Sequence, residues 1–323
     1  MGIPITIISG FLGSGKTTLI NQVIKGSGLL PNEVIIIENE FGEAGIDHEL
    51  LIHSKENIVQ MNGGCICCSL RGDLLNALTA TLDVFVKQGY PIKQVIIETS
   101  GISDPQPIIQ TIVATPSLQP YFYLDSVIGV IDAENIEVNL SHHEAMKQIM
   151  MSDRLLISEK GVANSESIEQ IKKQMAEVNP LADSHLFSLT MTNEKLAELV
   201  LNNQLFSQSI DTIHDEHHHH HHEFESLIIE GKGSIKESSL HNWLSWLMMT
   251  YQESIYRMKG FLNIEDQDFQ TEVQGVNQLL NFNLTNRLTE IHDNKLVIIG
   301  KNIDKEKIME AFQLIMIESN ERK

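Results

Sequence analysis

Cysteine is scarce in this sequence. Its 323 residues hold three, all between Cys65 and Cys68. That is no basis for a secreted disulfide framework, and it points to a reducing compartment, the cytoplasm. Basic charge is scarce as well: Lys and Arg number 23 against 43 Asp and Glu, a formal net charge of −20. An acidic chain of this kind lacks the basic face that binding a nucleic-acid backbone requires, and it is not drawn to an anionic membrane surface. No apolar run reaches the roughly eighteen residues of a membrane span. The opening Met1-Gly2-Ile3-Pro4 carries no basic segment and leads straight into a strand-like stretch, so no signal peptide is expected.

The hydrophobic share is 42%, enough to bury a sizeable core over a length that suits about two domains. Apolar runs rich in Ile and Val occur at 5–8, 34–37, 95–97, 127–131 and 155–157, with helix-length stretches at 17–24, 70–87, 105–113 and 165–178. Short, wholly apolar strands alternating with helices predict a doubly wound α/β domain around a mainly parallel sheet, over residues 1–195. Residues 196–222 are polar and end in an unbroken histidine run, 217–222, and are expected to form a linker. Residues 223–323 predict a smaller α+β domain. A strand comes first, then an amphipathic helix carrying Leu240, Trp243, Leu244, Leu247, Met248, Tyr251 and Ile255. Strand-like segments follow at 261–264, 271–281 and 296–299, and a last helix carries Ile308, Ala311, Phe312, Ile315 and Met316. The expected layer is β-α-β-β-β-α, with helices on one side of a mainly antiparallel sheet.

Gly10-Phe11-Leu12-Gly13-Ser14-Gly15-Lys16-Thr17 fits G-x-x-x-x-G-K-[ST], placed between a strand and a helix. The glycines let backbone N–H groups turn inward around phosphate oxygens, where the helix N-terminus adds its dipole. Lys16 is expected on the β- and γ-phosphates, the Thr17 hydroxyl on Mg²⁺, and Gly10, Gly13, Ser14, Gly15 and Thr18 around the nucleotide. The run 95–97 ends in Glu98, then Thr99-Ser100-Gly101. An acid at this strand end supplies a second Mg²⁺ contact or orients the attacking water, and Gly101 offers an N–H to the γ-phosphate.

Three thiols at Cys65, Cys67 and Cys68 suit a soft or borderline ion such as Zn²⁺ or Cu⁺. Three sulfurs leave one tetrahedral position open, which suits transfer more than permanent structure. Buried structural cysteines and a redox pair are the alternatives. Glu38, Glu40 and Glu43 follow a buried strand, where a loop sensing the nucleotide would sit. Glu38 and Glu43 offer oxygen ligands near the cysteines, and a solvated acidic loop is the other reading. The six histidines of 217–222 suit Zn²⁺, Ni²⁺, Co²⁺ and Cu²⁺ alike, as a metal buffer, unless the run is an inserted tag or a plain polar linker.

These elements together resemble the CobW-type GTPases, a phosphate-loop family related to the nickel-insertion GTPases of hydrogenase and urease. The likeness rests on 10–18, on Glu-Asn-Glu-Phe-Gly-Glu at 38–43 and on Gly-Cys-Ile-Cys-Cys-Ser at 64–69. Glu-Thr-Ser-Gly at 98–101, Asp104-Pro105, Ile131-Asp132-Ala133 and Asn179-Pro180 add to it, with 257–261 and 274–276 in the second domain. The resemblance implies a metal chaperone that hydrolyses GTP, most often associated with Zn²⁺, with cobalt or nitrile hydratase iron in some branches. Nickel-inserting relatives carry His-rich stretches too. One element departs from the pattern. Where the family has Asn/Thr/Ser-Lys-x-Asp for guanine, this chain has Ser158-Glu159-Lys160-Gly161. A missing bidentate acceptor costs a few kcal/mol of base discrimination unless Glu159 replaces it or the Lys160 stem stacks on the base. Ser158 and Lys160 are the expected base-site residues, and GTP rather than ATP follows from the resemblance.

The expectation is a cytoplasmic metallochaperone. It would couple GTP hydrolysis to delivery of a transition metal, zinc first, to a client metalloprotein through a C-terminal domain that also offers a self-association surface. Two rival classes make different predictions. An ATP-using phosphate-loop enzyme, such as a small-molecule kinase, would transfer phosphate to an acceptor. A non-catalytic metal store would show no turnover.

Overall fold

The structure, a computed structural model, describes residues 2–39, 58–60, 69–87, 89–159, 165–188, 190–208, 210 and 224–320. The chain separates into two compact units, Met1–Gln174 with Ala182–Gln208, and Met175–Leu181 with Ser209–Lys323.

The first unit is built on seven parallel strands: β1 (Ile3–Gly10), β2 (Val34–Asn39), β3 (Ile58–Gln60), β4 (Gln94–Thr99), β5 (Phe122–Asp132), β6 (Arg154–Ser158) and β7 (Asp183–Phe187). Their order across the sheet is β3-β2-β4-β1-β5-β6-β7. The five apolar runs of the sequence all lie inside strands of this sheet. They are apolar throughout because both faces are covered. On one face Ile8, Ile36, Ile96 and Ile128 pack with Leu19, Ile20 and Val23 of helix α1 (Lys16–Gly26) and with Leu196 and Val200 further along the chain. Ile7, Ile35 and Ile97, which alternate with them, are fully buried as well.

Helices α2 (Ser69–Ala80), α3 (Gln106–Ala114) and α6 (Ser165–Val178) fall where the helix-length stretches predict them. The first of these runs on as a π-helical turn, Thr81–Val86. Two further helices, α4 (Ile136–Leu140) and α5 (His143–Met151), precede β6, and α7 (Asn193–Val200) follows β7. The boundary expected at residue 195 falls inside α7. That helix packs against α1 through Leu196, Ala197 and Val200, so the first unit continues to Gln208.

The second unit holds a five-stranded antiparallel sheet made of β8 (Phe224–Gly231), β9 (Ile255–Leu262), β10 (Phe269–Val276), β11 (Leu279–Leu288) and β12 (Asn294–Lys301), in the order β11-β10-β9-β12-β8. Helices α8 (Glu237–Thr250) and α9 (Lys305–Asn320) share one core with the sheet. Trp243 and Phe312 meet there edge to face, with ring centroids 5.1 Å apart. The sheet has one strand more than the sequence pattern suggests. The segment 271–281 is a hairpin, not a strand, and it turns through Asn277, whose φ is +54°. Asn tolerates that left-handed conformation, so no glycine marked the turn. Ile255, taken above as the end of a helix, instead opens β9. The two segments of the family resemblance, 257–261 and 274–276, pair with each other, Gln274 opposite Lys259 and Val276 opposite Arg257. None of the described helices is long and apolar enough to cross a membrane.

Candidate nucleotide site

The carboxyl ends of the central strands converge on the loop after β1. With β4 on one side of β1 and β5 on the other, this is the point where the winding of the sheet reverses, the usual seat of a ligand in such a sheet.

The loop itself is shaped by glycine. Gly13 and Gly15 have φ of +76° and +95°, left-handed conformations that cost an L side chain strain. A Cβ on either would meet nothing within 4 Å, so it is the backbone conformation that demands glycine there. Gly15 is also the N-cap of α1. No side chain caps that helix, and its first turn holds no acid. The leading N–H groups of an α-helix have no carbonyl partner within the helix, so the start of α1 turns backbone donors toward an anion. Ser14 Oγ is buried without a hydrogen-bond partner. A buried orphan hydroxyl beside uncapped amides fits a phosphate oxygen.

Lys16 is buried and its Nζ donates to the carbonyls of Gly10 (2.9 Å) and Phe11 (3.2 Å). The ammonium therefore lies over the loop that the motif predicts will hold phosphate. Thr17 Oγ1 donates to Glu98 Oε1 at 2.7 Å. A hydroxyl and a carboxylate brought together at a phosphate site are the hard oxygen donors that Mg²⁺ takes. Glu98 stands at the end of β4 and is the register partner of Ile8 on β1 and of Glu38 on β2. Glu38 is thus a buried strand residue, not part of an exposed acidic loop. Thr99 Oγ1 donates to Ser9 Oγ at 3.2 Å and ties the two central strands together just below the loop.

Beyond β4 the chain turns through residues 100–103, closed by a bond from Ser103 N–H to the Ser100 carbonyl at 3.0 Å. A Cβ on Gly101 would stand 2.6 Å from Leu12 Cδ2 and 2.7 Å from the Leu12 nitrogen. Only glycine lets this turn lie against the phosphate loop. Ser158 closes β6, opposite Asp132 at the end of β5, and the following Glu159 N–H donates to the Phe187 carbonyl at 2.9 Å.

Sequence reasoning missed the contribution of α5. His142, just before it, stacks on Phe11 of the phosphate loop, with ring centroids 4.9 Å apart and planes at 23°. Lys147 pairs with Asp104 at 2.9 Å, and Gln148 Nε2 donates to the carbonyls of Gly101 (3.2 Å) and Ser103 (3.0 Å). No motif marks these residues; only the fold brings them to the site.

Cys65, Cys67, Cys68, Glu40, Glu43, Lys160 and the histidine run 217–222 lie outside the described residues. Among the described residues no three His, Cys, Asp or Glu side chains gather as a metal-binding group.

Known proteins share this fold and parts of this sequence. Residues 4–185 match the model of the CobW/HypB/UreG nucleotide-binding domain, and residues 224–315 match the cobalamin synthesis protein cobW C-terminal domain. The zinc chaperone YjiA of Escherichia coli is 28% identical over 316 residues, covering 96% of this chain and 98% of that protein. The zinc-regulated GTPase metalloprotein activator 1 of Saccharomyces cerevisiae is 25% identical over 367 residues, covering 96% and 83%. The crystal structure of the Zn(II)-bound YjiA GTPase from E. coli superposes with a TM-score of 0.77 at 25% identity, covering 98% of this chain and 99% of that one. A Zn(II)-bound triple variant of YjiA, with one glutamate and two cysteines replaced by alanine, matches with a TM-score of 0.76 at 25% identity and the same coverage. With a nucleotide-binding domain matched over more than half its length and the C-terminal domain matched behind it, the chain belongs to the CobW/HypB/UreG family.

Proposed function

We propose that this protein is a metal-binding GTPase that acts as a metallochaperone, catalysing GTP + H₂O → GDP + phosphate and using the cycle to deliver a transition metal, zinc first, to a client protein. The observation that carries the enzymatic half is the 2.7 Å bond between Thr17 and Glu98 beside the phosphate loop. Lys16 opposes charge on the β- and γ-phosphates, and the amides of Gly13, Gly15, Lys16, Thr17 and Thr18 hold the phosphate chain. Thr17 and Glu98 would hold Mg²⁺, which neutralises charge developing on the transferred phosphoryl group. Orienting the attacking water is the alternative role for Glu98, and the Gly101 N–H is assigned to the γ-phosphate. Ser158 and Lys160 are assigned to the base.

The metal half rests on Cys65, Cys67 and Cys68, with Glu38 and Glu43 as oxygen donors, and on the relatives. YjiA and the yeast protein are named for zinc, and the YjiA variant targets one glutamate and two cysteines, the residue types clustered here. That variant is itself Zn(II)-bound. On this chain the histidine run 217–222 is assigned as a metal buffer beside the cysteines. The cysteine usage supports a cytoplasmic location, and the C-terminal domain is assigned to the client.

Phosphate release from wild type and Lys16→Ala tests the enzyme. Equal rates with GTP, or a preference for ATP with transfer to an acceptor, would overturn it. Zinc affinity of a Cys65/Cys67/Cys68→Ser triple variant, in a background lacking 217–222, tests the cargo site. Unchanged affinity would remove the cysteines from it.

A further inference from the structure

We infer that Gln148 is a positioning residue for hydrolysis, holding the 100–103 turn in place against the phosphate loop; this rests on the GTPase reading above. Gln148 lies within α5 and is 2% exposed. Its side-chain amide spends both protons on the turn, one on the Gly101 carbonyl and one on the Ser103 carbonyl. The Gly101 carbonyl belongs to the peptide inside the turn and the Ser103 carbonyl to the peptide leaving it, so the two bonds hold the turn at two points. The closing bond of the turn uses the Ser103 N–H, and the N–H of Gly101 is not consumed by it.

The same helix reaches the other wall of the site. His142, one residue before α5, stacks on Phe11, and Lys147 pairs with Asp104, whose other oxygen accepts the Gln106 N–H at the start of α3. One rigid element thus sets the distance between the loop that binds phosphate and the turn that faces its outer end. Gly101 against Leu12 leaves no slack in that distance. The remaining atom of the amide, Gln148 Oε1, is buried with no partner, as is Ser103 Oγ. The side chain is held in place by its two donated bonds, and both go to the turn.

The test is Gln148→Met, which keeps the length and removes both donors, with Gln148→Asn as a shorter amide. For Gln148→Met the expected result is a kcat for GTP lowered by about 10- to 100-fold, because small misplacements at a reacting centre cost that much. KM and GDP affinity should stay within about twofold, since the phosphate-loop contacts are untouched. Amide exchange over 100–104 should rise while exchange in α1 does not. Gln148→Asn should recover part of kcat. A wild-type kcat in the Gln148→Met variant would overturn the inference alone. So would GDP affinity falling in step with kcat, which would mark a general loss of fold. No turnover by wild type would instead overturn the GTPase reading, and unchanged exchange over 100–104 in the variant would then reject the hold on the turn as well.

Discussion

Thr17 and Glu98 are 81 residues apart in the chain, and their side chains meet at 2.7 Å. One lies in the first turn of the helix after the phosphate loop and the other is next to last in the neighbouring strand. Parallel pairing of Ile8 with Glu98 delivers the carboxylate to the hydroxyl. Because the two act on one bound ion in the proposed mechanism, their removal should not be additive. Thr17→Val and Glu98→Gln are each expected to lower phosphate release by about 100-fold or more, and the double variant to lose little beyond the worse single one. Multiplied losses in a double-mutant cycle would show that they act separately.

Lys16→Ala should lower GTP hydrolysis by about 10²- to 10³-fold, the range seen when one preorganised charge donor is taken from a transition state. Steady-state phosphate release measures this. Circular dichroism should show an unchanged fold, because the backbone of the loop is set by the left-handed Gly13 and Gly15 and not by the lysine.

Gly101→Ala places a methyl group against the Leu12 backbone, where no rotamer change can relieve it. The turn and the phosphate loop must then part. Phosphate release should drop by about tenfold or more. A rate equal to wild type would show that the close approach is not needed.

Asp183 gives a pH dependence. Burial acts to raise its pKa, but hydrogen bonds and charge from Arg154, helped by His185, outweigh it and hold the carboxyl below its ordinary value of 3.8. Arg154 grips it with two bonds, at 2.8 and 2.6 Å. A carboxylate with a depressed folded pKa contributes stability above its unfolded pKa and loses it as pH falls through the folded one. The loss begins near 3.8 and deepens below it. Asp183→Asn should lower stability at neutral pH and flatten the acid limb, as followed by denaturant unfolding at several pH values. An unchanged acid limb would remove this pair from the acid response.

Phe312→Ala should destabilise the second unit by about 3–5 kcal/mol, the cost of a large cavity in a closed core. Both tryptophans of the chain, Trp243 and Trp246, sit in α8, so intrinsic fluorescence reports that unit alone. The fluorescence midpoint should fall while GDP affinity stays the same. A parallel loss of GDP affinity would show that the second unit supports the nucleotide site.

Much of the first unit can be read from its residues. Five strands announce themselves as Ile- and Val-rich runs, because strands covered on both faces must be apolar throughout. The phosphate loop is legible for a local reason: its glycines, lysine and threonine act within one turn. Other elements leave weaker traces. The edge strand β7 has an exposed or half-buried pattern before Phe187, so no apolar run marks it. The hairpin between β10 and β11 turns on Asn277 without a glycine, and the sequence reads it as one strand.

By itself the sequence determines which chemistry is available: a phosphate loop, an acid at a strand end, a cluster of thiols and a family. It does so because loop conformation, helix start and strand burial depend on neighbours a few residues away. Only the tertiary structure decides that β4 lies beside β1, and so that Glu98 reaches Thr17. It also decides that Glu38 is buried in register with Glu98, and that Gln148 and His142 brace the two walls of the site. Strand order and helix docking are settled by packing across the whole domain. A glutamine in the middle of a helix carries no local sign of the loop it will hold.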